Sequence, residues 1–371
     1  MIAQFSAKPS QEWTIGLTGM NARADNPGPG FAVARCIRHD RNFAGRLIGL
    51  GYDALDPGLH AEAVIDRGFL LPYPSEGPAA LRERLDEIFA QTRFDAIIPS
   101  LDAELPNFIA NEAWLRERGV RALLPTAHQL RRRDKDRLPE LAAAAGVLTP
   151  SCRRIGDPSA LERPEELDLA YPYVLKGSFY DAAIVHSVAE ARAAFHKLAA
   201  LWGYPILAQP FIAGYEVNLC GLADAAGELV GHVSMRKRAL TDKNKAWAGV
   251  SIVDPQLEDM ARRLVAELGW RGPFEVEALR DAEGALHLIE INPRFPAWAY
   301  LTAGAEYNLP QALLHLLEGR ACALPLQAVA GRCFIRFADE VVLNLAQMEA
   351  ISLFGDTGRN DRAKAFLSAA M

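Results

Sequence analysis

Residues 274–298 read FEVEALRDAEGALHLIEINPRFPAW, and the fold turns on how they pair. Two strand-like runs, Phe274–Arg280 and Ala285–Asn292, are joined across the turn Asp281–Gly284. Side chains alternate faces along a strand, which puts Leu286, Leu288, Glu290 and Asn292 on one face. A two-residue loop at Glu283-Gly284 sets Glu277 directly opposite Glu290, and a slip of one residue sends it to the other side. Facing carboxylates repel each other, so this pairing calls for a cation between them. Oxygen donors from Glu277, Glu290 and Asn292 suit hard Mg2+, with phosphates and water as its remaining ligands. The competing reading is that both glutamates are solvated strand ends. Arg294 follows Pro293 and either grips a phosphate or carboxylate through both arms of its fork or forms a surface salt bridge.

Upstream lie further groups suited to a nucleotide. Lys176 ends the apolar run Tyr173–Lys176 and precedes Gly177-Ser178, a position from which an ammonium reaches phosphates. Lys135 stands at the start of a helix expected from about Asp134 to Gly146. The strand Ile206–Ile212 offers a backbone edge at Gln209, Pro210, Phe211 and Ile212 for a purine. Glu216, just beyond, is a carboxylate able to accept ribose hydroxyls. Most lysines merely solubilise, so each of these is weak alone.

The N-terminal part alternates strands and helices: Trp13–Leu17, Phe31–Arg38, Leu47–Tyr52, Leu81–Gln91, Asp95–Pro99, Leu105–Arg118 and Val120–Leu124. That order implies a parallel sheet with helices on its faces, and loops at the strand carboxyl ends form ligand crevices. Gly19–Gly30 is either a tight strand–helix connection or an anion site. Asp102 and Glu104 either cap a helix or meet a substrate ammonium. Later segments read as antiparallel hairpins, Glu216–Leu222 with Glu228–Arg236 being the first. Cys333–Phe337 is a last strand, and the polar tail from Gly355 is expected to be loosely held. The expected divisions are 1–124, 125–205, 206–340 and a C-terminal extension, 341–371.

The chain has 371 residues, half of them hydrophobic and 23% charged, which suits two or three globular domains. A net charge of -6 gives no electrostatic footprint for nucleic acid. Five scattered cysteines form no CxxC, which argues against zinc or a disulfide framework and fits the cytoplasm. No apolar run is long enough for a bilayer.

In order, DKDRLPELAAAAGVLTP, YPYVLKGS, AQPFIAGYE and the 274–298 block resemble the ATP-grasp superfamily. The N-terminal IIPSLDAELPNF and LLPT resemble the preATP-grasp domain that precedes it. The resemblance covers about residues 13–340 and is closest to carbamoyl-phosphate-synthetase-like ligases. It implies an α/β, Rossmann-like preATP-grasp domain followed by an ATP-grasp fold of two α+β subdomains gripping ATP. Carried over by motif, Lys135 and Lys176 contact ATP phosphates, Gln209–Ile212 form the adenine hinge and Glu216 holds the ribose. Glu277, Glu290 and Asn292 ligate one or two Mg2+ or Mn2+ ions, and Arg294 with Lys176 stabilises the transferring phosphoryl group. The implied activity is an ADP-forming carboxylate–amine or carboxylate–thiol ligase acting through an acyl phosphate. Its substrates would be small carboxylates and amines, an amino acid or peptide among them, and its assembly a homodimer. The alternatives are a bicarbonate-activating enzyme of the carboxyphosphate type and a non-catalytic ATP-binding regulator. One departure stands out: the lid segment after Lys176, GSFYDAA, is poor in glycine. The basic run Arg236-Lys237-Arg238, with Lys243 and Lys245, either supplies compensating charge or is a mobile solvated loop.

Overall fold

The computed structural model describes residues 8–23, 25–177, 181–322 and 324–358. Its strands form three sheets. The first is parallel, in the order β3-β2-β1-β4, from β1 (Thr14–Leu17), β2 (Arg46–Gly51), β3 (Arg67–Leu70) and β4 (Ala96–Ile98). Helices α1 (Pro29–His39) and α2 (Gly77–Phe89) connect its strands. The expected helix 105–118 breaks at Asn111 into α3 (Leu105–Ala110) and α4 (Glu112–Glu117). The side-chain amide of Asn111 donates there to Pro78 O and Asn107 O. Residues 120–124 form no strand; only an isolated bridge joins Arg121 to Ala96.

Helices α5 (Ala127–Arg132) and α6 (Leu138–Ala145) lead into the second sheet. It is antiparallel, in the order β5-β8-β6-β7, from β5 (Arg153–Ile155), β6 (Tyr173–Lys176), β7 (Ala182–Val185) and β8 (Ile206–Pro210). Helix α7 (Val188–Trp202) packs on it. Strand β8 pairs with both β5 and β6 in this sheet.

The third sheet is antiparallel and has six strands in the order β13-β12-β9-β10-β11-β14. They are β9 (Gly214–Ala223), β10 (Leu229–Leu240), β11 (Ala246–Ile252), β12 (Gly272–Asp281), β13 (Leu286–Asn292) and β14 (Cys333–Ile335). Helix α8 (Pro255–Leu268) covers one face together with α6, burying Val217, Leu219, Val276, Ala278, Leu288 and Ile291. The opposite face carries Cys220, Leu222, Val233 and Met235, which share a core with α1, α9 (Tyr300–Gly304), α10 (Leu309–Glu318) and the parallel sheet. That shared core presses the N-terminal unit against the polar end of the same face. Helix α11 (Leu345–Phe354) also returns to the N-terminal unit. The tail is firmly held as far as Gly358: Leu70 N donates to Gly355 O, and Arg67 pairs with the buried Asp356. Residues 359–371 lie outside the described range.

The start of α1 is fitted so closely to β1 that a Cβ on Gly30 would lie 1.5 Å from Thr18 O. Gly30→Ala should therefore cost ~3 kcal/mol, because the obstacle is backbone and cannot move aside. A urea midpoint equal to that of the parent protein would refute this. Among the described residues, no helix is long and apolar enough to cross a membrane.

Candidate active site

The site lies where the polar end of the six-stranded sheet meets the loop after β4 and the turn before α6. Glu277 stands directly opposite Glu290, though not by the expected two-residue loop. The turn has three residues, Ala282–Gly284, closed by Asp281 N donating to Ala285 O. Gly284 takes φ +87 with nothing near a would-be Cβ, so glycine serves the backbone there. On its own that loop pairs Ala278 with Leu288 and would leave Glu277 facing Ile289. A bulge between Glu277 and Ala278 in the ladder shifts the register by one, to Glu277 opposite Glu290. The bulge also overturns the expected common face of Leu286, Leu288, Glu290 and Asn292. Leu286, Leu288 and Ile291 point into the core under α8, while Glu290 and Asn292 turn to the other face.

Both carboxylates face ammonium groups. Lys135 Nζ lies 3.3 Å from Glu290, and Lys237 Nζ lies 3.4 Å from Glu277 and also pairs with Glu216. Burial raises the Glu277 carboxyl, but Lys237, Lys245, Arg294 and the amide of Asn292 overcome it and hold it down at about 2. It is therefore ionised throughout the neutral range. Burial lowers the Lys176 ammonium; Glu290 opposes this and Lys135 adds to it. Lys135 and Lys176 thus converge on Glu290 from two different elements. Lys135 is in a turn three residues ahead of α6, not at a helix start.

Arg294 is a bridge between the units. Its Nε donates to Asp102 Oδ1 at 2.9 Å, and its Nη1 lies 3.4 Å from Glu275 Oε2. Arg133 reaches the same Asp102 at 3.7 Å. Burial works against the Arg294 charge, but Asp102, Glu275, Glu277 and Glu290 raise its pKa above the usual value. Asp102 is thus engaged by arginines. Glu104 is buried against Thr18, Tyr52 and the Ser100 and Leu101 amides. Both carboxylates therefore already have protein partners.

Gln209 and Pro210 end β8, and Phe211–Ala213 join neither that ladder nor the one beginning at Gly214. Phe211–Ala213 form an edge outside both ladders, between the second and third sheets. Glu216 lies within β9, close to this edge, with Lys237 as its partner. Lys237 belongs to β10, which runs to Leu240, so the basic run 236–238 is strand rather than loop. Of the lid segment, residues 178–180 fall outside the described range; β6 and β7 on either side pair as a hairpin.

Reasoning from the sequence overlooked Glu275, Asn218, Arg35 and Arg336. Arg336 is half-buried, its Nε and Nη2 donating to Ala246 O and Ala297 O. Burial and the charge of Arg35 lower its pKa to about 10. Arg35 lies 3.9 Å over the Tyr300 ring. Neither arginine has a carboxylate partner among the described residues, and both border the segment 297–300 just past Arg294. Trp298, by contrast, is buried and packs, its Nε1 donating to Glu275.

These groups fit a divalent cation held through oxygen. No group of three or more His, Cys, Asp or Glu among the described residues is arranged to hold a metal alone. Glu277, Glu290 and Asn292 would instead offer two carboxylates and one amide, a set that would leave coordination positions for ligand phosphates and water. Lysines now occupy the negative ends of the cradle, so the charge of a cation already has its complement there.

Residues 204–332 match the family model described as "ATP-grasp in the biosynthetic pathway with Ter operon". A D-alanine–D-alanine ligase of Chromohalobacter salexigens is 27% identical over 172 residues, 43% of this chain and 54% of that protein. The chain therefore spans about half the length of this curated relative. The L-amino acid ligase of Bacillus licheniformis superposes with a TM-score of 0.61 at 16% identity, covering 82% of this chain and 74% of that one. The biotin carboxylase domain of the Hydrogenobacter thermophilus 2-oxoglutarate carboxylase, solved with MgADP, ADP and bicarbonate, gives 0.63 at 17% identity, over 86% and 73%. The fold is that of the ATP-grasp proteins, with a parallel sheet preceding two antiparallel ones.

Proposed function

We propose that this chain, which has the ATP-grasp fold, is an ATP-dependent, ADP-forming carboxylate–amine ligase. The observation that carries the proposal is the cradle itself: Glu277 opposite Glu290, Asn292 beside them, two lysines above and Arg294 at the rim. The ligase relative at 27% identity supports the same reaction class.

In this reading the adenine lies against Gln209–Ile212, where the chain leaves the β8 ladder, and Glu216 accepts from the ribose hydroxyls. Lys135 and Lys176 leave Glu290 for the phosphates as the nucleotide enters. Glu277, Glu290 and Asn292 would hold a divalent cation, which would supply charge neutralisation for the phosphate oxygens. A substrate carboxylate oxygen attacks the γ-phosphorus, the bond to the β-phosphate oxygen breaks, and ADP leaves. Arg294 offers donors to the carboxylate and to the transferring group. The amine then attacks the acyl carbon, phosphate departs, and the amine proton passes to solvent. No residue forms a covalent intermediate; positioning and charge compensation supply the rate.

The carboxylate approaches between the N-terminal unit and the segment 297–300. Arg336 and Arg35, cations without a carboxylate partner among the described residues, support an anionic substrate on that side. Arg336→Ala should raise KM for the carboxylate about 30-fold, the loss of roughly 2 kcal/mol from a charge-assisted pair, and leave KM for ATP unchanged. Equal effects on both would place Arg336 outside the carboxylate pocket. The reading as a whole is tested with purified protein, MgATP and a matrix of amino acids and small carboxylates. Phosphate release that needs a carboxylate and an amine together supports it, whereas nucleotide binding without turnover on any pair overturns it.

A further inference from the structure

Glu275 lies two residues before Glu277 on β12, on the same face, and is almost fully buried. A buried carboxylate is costly unless its lone pairs are filled. Here four donors fill them. Asn218 Nδ2 at 2.9 Å and Trp298 Nε1 at 2.6 Å donate to Oε1. Asn292 Nδ2 at 2.9 Å and Arg294 Nη1 at 3.4 Å reach Oε2. With both oxygens engaged, Glu275 has none to offer a metal or a nucleotide.

What it does to Asn292 follows from the chemistry of an amide. Nδ2 has two hydrogens; one goes to Glu275 Oε2 and the other to Glu277 Oε1, each at 2.9 Å. Both donors face carboxylates, and Oδ1 accepts from no described residue. The two acceptors therefore fix which end of the amide is nitrogen and leave Oδ1 without a protein donor among the described residues. The same carboxylate holds one arm of Arg294, while Asp102 holds Nε. Trp298 anchors Glu275 from the far side. Asn218 comes from β9, where it sits directly opposite Glu277 in the ladder.

We propose that Glu275 is the positioning residue of this site: it orients the Asn292 amide so that oxygen faces the cation, and it sets the Arg294 guanidinium. This rests on the reading of Glu277, Glu290 and Asn292 as the cation cradle.

Mn2+ binding in the presence of ADP, followed by paramagnetic resonance alongside thermal melting, tests the inference without any ligase substrate. Glu275→Gln keeps the shape but puts an amide where only acceptors fit. Asn292 should then turn so that Oδ1 accepts from the new amide and no longer serves the cation, and the Mn2+ dissociation constant should rise at least about tenfold in protein that still melts cooperatively. Trp298→Phe removes one anchor but leaves Asn292 oriented, and should change the constant by less than about twofold. If Glu275→Gln lowers the melting temperature yet binds Mn2+ like the parent, Glu275 is merely structural and the inference fails. It also fails if Trp298→Phe weakens Mn2+ as much as Glu275→Gln does. If parent protein and Glu290→Gln bind Mn2+ alike, the cradle reading itself is wrong. That outcome is distinct from parent and Glu275→Gln agreeing while Glu290→Gln has lost the ion.

Discussion

Glu290→Gln is expected to abolish ATP-dependent phosphate release, by roughly 10³-fold, while the protein stays folded. Glutamine fills the same space, and the side chain is about a quarter exposed, so little packing is at stake. Charge is what disappears. Glu290 faces Glu277 across the ladder and holds Lys135 at 3.3 Å. It is also the largest influence keeping the buried Lys176 protonated against burial and against Lys135. Removing its charge therefore acts twice. A divalent ion loses one of its two carboxylate partners, and Lys176 loses the neighbour that sustains its own charge. The second effect has a sign. The Lys176 pKa, already below the usual lysine value, falls further, so residual activity should decline at lower pH than it does in the parent. Release measured from pH 6 to 10, with and without raised Mg2+, checks both effects. Undiminished turnover would remove Glu290 from the site.

Much of this site was legible in the 274–298 string, because acids and an asparagine at the ends of apolar strands have few physical excuses. Parity could say that Glu277 and Glu290 were able to meet. It could not say how, because a bulge is one extra residue with no composition of its own. The structure reaches the anticipated pair through a different loop and a compensating shift, and Leu288 and Glu290 end on opposite faces. Glu275 was visible as the neighbour of Glu277 with the same parity. Its importance comes from Asn218, Trp298 and Arg294, partners that only the folded sheet assembles. Lys237 was hidden for another reason. A run of three cations reads as solvated loop, yet β10 carries it onward and directs the middle one between two glutamates. Arg35 and Arg336 come from opposite ends of the chain, and no local pattern links them. Three strands of the parallel sheet, β1, β2 and β4, were by contrast written in short apolar runs separated by helices, a signal that needs no long-range information. The short edge strand β3 was not legible, and 120–124 reads as the fourth strand in its place.

Arg294→Lys is expected to lower kcat by about 10²-fold or more and to leave stability nearly unchanged. The positive charge survives, so Asp102 and Glu275 keep a counter-ion; Arg294→Ala would strand both and cost ~3 kcal/mol or more. What lysine cannot reproduce is the planar fork. Arg294 uses Nε for Asp102 and leans Nη1 on Glu275, which holds the guanidinium plane fixed and leaves its remaining donors for ligand. An ammonium on a flexible stem satisfies one carboxylate at a time and presents no preset pair of donors to a phosphoryl group. In the proposed reading the lysines and the cation cradle hold the nucleotide, so binding of MgATP should change little. The loss should fall on the step in which phosphate is transferred. Single-turnover measurement of ADP formation separates the two: slowed transfer with unchanged nucleotide affinity is the expected result. A lysine variant that transfers phosphate at the parental rate would show that charge at this position suffices. The Asp102–Arg294–Glu275 chain would then hold the two units together without shaping the reaction.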